Sequence, residues 1–269
     1  MNTTYLGRRH CQAITGAVET AGGTVPEALA DILAQLDAVK DWAPAPVEDI
    51  ASVIRSGAFT AANAAEQLDK ILRAPTQDPR ELTAKAEAAL VNQFGKALHG
   101  AAGDAVIEAV RPAFEKAAKG IMDAREHITA DTTPAQILEL GDEAAKAWRE
   151  VGVHKQSLDR VHALVQAMAS DFDVLGQPEP LLWQRTGNMV YIAAVYARDE
   201  NTPLEEVARW LMAPNAGNGG KWMRILSVTP LELNSLTRAR EIIAAQTEER
   251  RKAAKAHRDA MSGVATTRA

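Results

Sequence analysis

One local pattern recurs four times in this chain and restricts its fold more than any other feature. A capping residue is followed by proline and, three places after the cap, by Glu or Gln. The capping side chain can accept a hydrogen bond from a backbone N–H in the first turn of a helix, where proline is also well suited. The pattern therefore predicts a helix start at each of its four copies, Asp78-Pro79-Arg80-Glu81, Thr133-Pro134-Ala135-Gln136, Thr202-Pro203-Leu204-Glu205 and Thr229-Pro230-Leu231-Glu232.

The composition extends this prediction to the whole chain. Alanine accounts for 52 of the 269 residues, whereas Phe, Trp and Tyr together make up only 4%. Alanine is the best helix former, and the aromatic residues that favour strands are scarce. We therefore predict an all-α, elongated multi-helix protein with a central antiparallel helical bundle or hairpins, a small aromatic-rich helical segment and a long C-terminal helix.

The helix starts and the glycine- and proline-rich breaks divide the chain into regions. Some of these breaks fall at Gly22-Gly23, Pro44-Ala45-Pro46, Ser56-Gly57 and Ala74-Pro75-Thr76. The predicted regions are a short-helix N-terminal region at 1–77, a helical bundle or hairpin region at 78–176, a small aromatic-rich helical domain at 177–228, and a long basic C-terminal helix with its tail at 229–269.

Individual helices can be placed within these regions. The bundle region is predicted to hold helices from Pro79 to Leu98 and from Asp104 to Ile128, followed by two helices separated at Gly152. The aromatic-rich domain is predicted to hold helices at 181–198, 203–213 and 220–227, although the β-favouring run at 189–192 is also compatible with a short strand. The last helix is predicted from Pro230 to Met261.

Charge and cysteine content restrict the setting of the protein. The net charge of −5 divides into −9 over residues 1–180 and +4 over residues 181–269. The single Cys11 excludes a disulfide framework within the chain, and no apolar run suggests a signal core or a membrane span. We expect a cytoplasmic or virion-associated protein that is not secreted by a signal peptide.

The sequence contains no strong motif for catalysis, for a cofactor or for a metal. Asp159-Arg160-Val161-His162 supplies half of a di-iron helix motif, but the second half is missing. The glycine-rich segment 215–221 ends in Lys221 but lacks the flanking residues of a phosphate-binding loop. We therefore predict a protein that is not an enzyme and that carries no cofactor, metal ligand or catalytic residue.

The basic end of the chain offers two functional interpretations. In the first, the protein is a structural or assembly component whose C-terminal helix binds an acidic protein surface, within a homo-oligomer or a larger assembly. In the second, the basic region 181–261 binds nucleic acid, with Arg209, Lys221 and Arg224 at the phosphates. The candidate partner-binding residues are Arg238, Arg240, Arg250, Arg251, Lys252, Lys255, Arg258, Trp210 and Trp222.

Two resemblances accompany these interpretations. Over the whole chain, the acidic helical body and basic C-terminal helix resemble the layout of internal scaffolding and head-assembly proteins of tailed bacteriophages. This resemblance implies a virion or head-assembly role and contact with a coat protein. Locally, Tyr196 to Asp199, Thr202 to Ala208 and Trp222 to Ile225 resemble the β-α-α layout of LysM-like modules, which implies a strand before the two helices.

Overall fold

The structure is a computed structural model that describes residues 6–43, 50–58, 60–72, 78–177, 179, 182–183, 186–214 and 217–266. These residues form twelve α-helices and no β-strand, which confirms the all-α prediction. The predicted breaks at 44–46 and 74–76 lie outside the described residues. The helices are α1 Arg8–Thr20, α2 Glu27–Asp41, α3 Ile50–Arg55, α4 Ala64–Leu72, α5 Pro79–His99, α6 Ala101–Ala124, α7 Pro134–Leu140, α8 Asp142–Phe172, α9 Met189–Ala194, α10 Leu204–Met212, α11 Gly220–Ile225 and α12 Leu236–Thr266.

Two of the four predicted helix starts are confirmed with their capping bonds. At α5, the Asp78 carboxylate accepts a hydrogen bond of 2.9 Å from the backbone N–H of Arg80. At α7, Thr133 and Gln136 form the reciprocal capping box, with the Thr133 backbone N–H donating to the Gln136 side chain at 2.8 Å. At these two sites, local backbone chemistry is sufficient to define the start of the helix.

The start predicted at Pro230 is wrong, and the side-chain cap predicted for Thr202 is not formed. The Thr202 hydroxyl accepts instead from the backbone N–H groups of Arg198 and Asp199, at 3.1 and 3.2 Å, and closes the preceding turn. The last helix begins at Leu236, because the Ser235 hydroxyl accepts from the Arg238 N–H at 3.1 Å. A serine cap without a glutamate three places later therefore determines the start of α12.

Glycine breaks the chain at a different place from the one predicted. The predicted division at Gly152 is wrong, since α8 continues unbroken from Asp142 to Phe172. The break falls at Gly141, whose φ of 87° is a left-handed conformation that favours glycine. A Cβ atom on Gly152 would lie 3.5 Å from the Asn218 side-chain oxygen, which is an ordinary contact distance, so the packing around α8 does not require glycine there.

The aromatic-rich region is helical, with shorter helices than predicted. The possible strand at 189–192 is wrong, because these residues form the first four positions of α9. The helix predicted at 181–198 is reduced among the described residues to α9, Met189–Ala194. The strand that a LysM-like layout requires is likewise not found in the described part of the chain.

A single connected core holds most of these helices together. Its buried apolar side chains come from α1, α2 and α5 to α12, and the most extensive pairing joins α6 to α8. Pro112 lies within α6 without ending it. The core continues across the predicted boundary at 176–177, so the basic C-terminal part packs against the acidic helices.

Candidate interaction site at the C-terminal helix

The N-terminus of α12 is attached to α6. The Asp104 carboxylate accepts two hydrogen bonds from Thr237, one from the backbone N–H at 3.0 Å and one from the hydroxyl at 2.6 Å. A negative charge at this position also interacts favourably with the helix dipole. Gly103 leaves space for Leu236, since a Cβ atom there would lie 2.8 Å from a Leu236 methyl carbon. These contacts determine the direction in which α12 leaves the body.

The apolar face of α12 lies in its first half, among the residues whose side chains are described. Leu236, Ala239, Ile242 and Ile243 are buried in the core, and Thr247 is the last buried residue of the helix among those whose side chains are described. The spacing follows the three- and four-residue periodicity of a helix packed on one side. The packed part of α12 therefore extends at least to Thr247.

The first arginines of α12 are bonded within the chain. Arg238 pairs with Glu200 at 2.6 Å and with Glu241 at 3.0 Å. The Nε atom of Arg240 donates to the Val174 carbonyl oxygen at 2.8 Å. These two predicted partner-binding residues thus hold α12 against the rest of the chain.

Arg250 makes the most extensive contact at the end of the packed part. Its guanidinium lies 3.8 Å from the centre of the Trp183 ring and donates to the Leu182 carbonyl oxygen at 3.1 Å and to Glu205 at 2.9 Å. The next residue, Arg251, pairs with Glu179. Three arginines of α12 therefore form ion pairs with three glutamates of the body, Glu179, Glu200 and Glu205. The sequence did not predict these pairs.

Beyond Arg250 the described side chains of α12 are no longer buried. All ten residues from 251 to 260 are exposed, and the helix continues to Thr266. We call residues 251–266 the distal segment, which is about 24 Å long at 1.5 Å per residue. Alanines and the Lys252–Glu249 ion pair of 2.9 Å support the helix without burial. Lys255 and Arg258, two further predicted partner-binding residues, lie on this exposed segment.

The two predicted aromatic contacts occupy different environments. Trp210 is partly buried, and the Arg224 guanidinium lies 5.0 Å from its ring centre. Trp222 is fully buried, and its indole N–H donates to the Asp159 carboxylate at 2.8 Å. The structure therefore places Trp222 in the core and does not bring it together with the distal segment.

Trp222 belongs to a buried cluster that joins α8, α11 and the turn that follows α9. Its ring meets those of Tyr196 and His162 edge-on, with centroid separations of 5.4 and 5.8 Å. The Tyr196 hydroxyl and the His162 Nδ1 atom share a hydrogen bond of 3.2 Å. Burial and the nearby Lys221 ammonium lower the pKa of His162 to about 3, and burial raises the pKa of Tyr196. Both side chains are therefore neutral at pH 7.

The described residues do not suggest a metal site, and their helices do not suggest a membrane span. Within the described part of the chain, no three His, Cys, Asp or Glu side chains are grouped so as to hold a metal ion. No helix among those residues combines the length and apolar character that a bilayer crossing requires.

Comparisons with protein-family models, curated proteins and solved structures find no match. Any function proposed for this chain therefore depends on its own geometry.

The contact of Arg250 with Trp183 leads to a first prediction. Arg250→Ala should lower the free energy of unfolding by about 1–2 kcal/mol, since it removes a cation–π contact and two hydrogen bonds of a partly exposed guanidinium. Urea denaturation followed by circular dichroism measures this change. Lys255→Ala, in the distal segment, is the control and should change stability by less than about 0.5 kcal/mol. Equal effects of the two substitutions would contradict the packing of α12 described above.

Proposed function

We propose that this chain is a non-enzymatic structural or assembly protein that binds a partner protein through the distal segment of α12. The observation that carries this proposal is the change in exposure along one continuous helix. Up to Thr247 the helix has buried side chains, and from residue 251 to residue 260 every side chain is exposed. A helix anchored at one end presents a preorganised surface, which lowers the entropic cost of binding.

The charge of the distal segment favours an acidic partner. Its described side chains include four cationic residues, Arg251, Lys252, Lys255 and Arg258, and a single carboxylate at Asp259, and two of these cations, Arg251 and Lys252, also pair with Glu179 and Glu249 of the same chain. Complementary charge across an interface accelerates association and selects among partners. The layout resemblance to bacteriophage scaffolding proteins suggests a virion or head-assembly complex as the setting, within which the chain would also self-associate.

Nucleic acid is the second candidate, because an exposed basic helix can also bind phosphates. In the nucleic-acid interpretation, cationic residues at 209–224 also bind phosphates, but their contacts in the structure give this interpretation less support. Lys221 is buried and lies 3.9 Å from the Asp159 carboxylate, and Arg224 pairs with Asp131. We therefore favour a protein partner, and the experiment below separates the two possibilities.

The test is affinity capture from a nuclease-treated lysate of the source cells, followed by mass spectrometry. The full chain should enrich a specific protein at least tenfold over a chain truncated after Arg250, because truncation removes the exposed surface and retains the packed part of α12. The triple variant Lys252→Glu, Lys255→Glu, Arg258→Glu should lose the same protein. The purified captured protein should then bind the full chain directly in a titration.

A matched charge reversal provides the control. Lys116→Glu, Lys119→Glu, Arg160→Glu changes the net charge equally at exposed positions of α6 and α8, and it should retain capture. Circular dichroism should show that every variant keeps its body helices. Capture by the truncated chain, or capture that occurs from an untreated lysate and not from the nuclease-treated one, would overturn the proposed protein–protein role.

A further inference from the structure

A pocket of about 550 Å³ lies among α1, α2 and α5. Its size is within the range of small-molecule sites, roughly 300–1,000 Å³. Apolar side chains of α2, buried Leu36 and partly buried Val39, form part of its wall. The pocket shares no residue with the distal segment of α12, so what it binds is independent of the proposed function.

Positive charge dominates the polar lining of this pocket. Arg8 and Arg9 in the first turn of α1, Lys40 near the end of α2, and Arg80 in the first turn of α5 all contribute, against one carboxylate from Glu87. Arg9, Lys40 and Arg80 form no ion pair with any residue that the structure describes. Three cations from three helices therefore surround one cavity without a partner among those residues.

Arg8 is a fourth cation at the wall of the pocket. Its guanidinium pairs with Asp37, and its backbone N–H donates to Glu87 at 3.2 Å. These contacts hold the side chain at the pocket wall, where it is 22% exposed. Its Nε atom is nevertheless buried and has no hydrogen-bond acceptor among the described residues. A ligand in the pocket cannot reach that buried atom, so Arg8 offers an anion only the exposed part of its guanidinium.

An aromatic ring completes the lining. Trp42, directly after the end of α2, is 45% exposed and borders the same cavity. An exposed indole next to several cations can stack on a flat ring while the cations bind an attached phosphate.

From this arrangement we infer that the pocket between α1, α2 and α5 binds a nucleoside phosphate. Arg80 and Lys40 bind the phosphate oxygens, Arg8 donates to them, and the base stacks on Trp42. The phosphate lies near the first turns of both α1 and α5, where the helix dipoles also favour negative charge.

The test uses ADP, pyrophosphate and adenosine as separate probes in isothermal titration calorimetry with the full chain. ADP should bind below about 1 mM, and both half-molecules should bind at least tenfold more weakly. Trp42→Ala should lower ADP affinity about tenfold while leaving pyrophosphate affinity within twofold, because only stacking is lost. Arg80→Ala should lower the affinity for both phosphates.

The control and the contrary outcomes are specific to this pocket. Lys119→Ala, an exposed substitution of α6, should leave ADP binding unchanged, and circular dichroism should confirm that all variants are folded. No heat with 1 mM ADP, or wild-type affinity in both pocket variants, would overturn the inference. A short oligodeoxyadenylate that binds through Arg80 and Trp42 when ADP does not would assign the pocket to nucleic acid and would also overturn it.

Discussion

Trp222→Ala is expected to lower the free energy of unfolding by about 3–5 kcal/mol, the range found when large buried aromatic residues are truncated. The indole is fully buried and packs edge-on against Tyr196 and His162. The substitution also removes the 2.8 Å hydrogen bond from the indole N–H to Asp159. Because native proteins are stable by about 5–15 kcal/mol, this loss should be evident as a large shift in a urea denaturation curve.

Two further tryptophan variants separate the contribution of ring packing from that of the hydrogen bond to Asp159. Trp222→Phe keeps an aromatic ring in the cluster but removes the donor to Asp159, so its cost should lie between those of wild type and alanine. Trp210→Ala truncates a tryptophan that is partly exposed and lies under Arg224, and its cost should be smaller. If Trp222→Ala were no more destabilising than Trp210→Ala, the cluster would not be the attachment of α11.

The size of the expected effect follows from the length of α11. A helix of six residues, Gly220–Ile225, is too short to be stable in water on its own. Its position therefore depends on tertiary contacts, and Trp222 supplies them to α8. Arg224 on the same helix pairs with Asp131 before α7, so the loss of Trp222 should also loosen a second connection.

Local signals in the sequence were sufficient for part of the fold only. Asp78 and Thr133 cap helices as predicted, because a capping bond involves residues within one turn. Thr229-Pro230 carries the same pattern, yet α12 begins six residues later at Leu236. Residues 231–235 are instead bonded to other elements, for example through the Asn234 backbone N–H to the Val195 carbonyl oxygen at 2.8 Å. Tertiary contacts override the local preference there.

The sequence was sufficient to locate the candidate interaction site on the C-terminal helix, but not to show which of its arginines pair within the chain. A count of charges directs attention to the basic C-terminal helix, and the early end of its apolar stripe predicts an exposed portion, which the structure shows at residues 251–260. The sequence does not show that Arg238, Arg250 and Arg251 pair with Glu200, Glu205 and Glu179. These pairs join residues more than thirty positions apart, a separation that only the folded chain closes.

The pocket at α1, α2 and α5 could not be predicted for the same reason. Arg8, Lys40 and Arg80 occur in three separate segments, none of which contains a recognised binding motif. Their convergence depends on the packing of α1 and α2 against α5.

His162 should make the stability of the protein depend strongly on pH. Burial and the nearby Lys221 lower its pKa to about 3 in the folded chain, against 6.5 for an ordinary histidine. Between these values the unfolded chain takes up a proton that the folded chain does not, so stability is lost as the pH falls below about 6.5. The slope approaches about 1.4 kcal/mol per pH unit, which gives a loss of roughly 2 kcal/mol from this group at pH 5.

Comparison with His162→Gln isolates this contribution, because glutamine can still bond to the Tyr196 hydroxyl but does not titrate. Urea denaturation at pH 7 and at pH 5 should show a loss of stability that is about 2 kcal/mol larger in the wild type than in the variant. All other titrating groups are shared by the two proteins, so their effects cancel in the difference. Equal losses would mean that water reaches His162 and that the cluster around Trp222 is not closed.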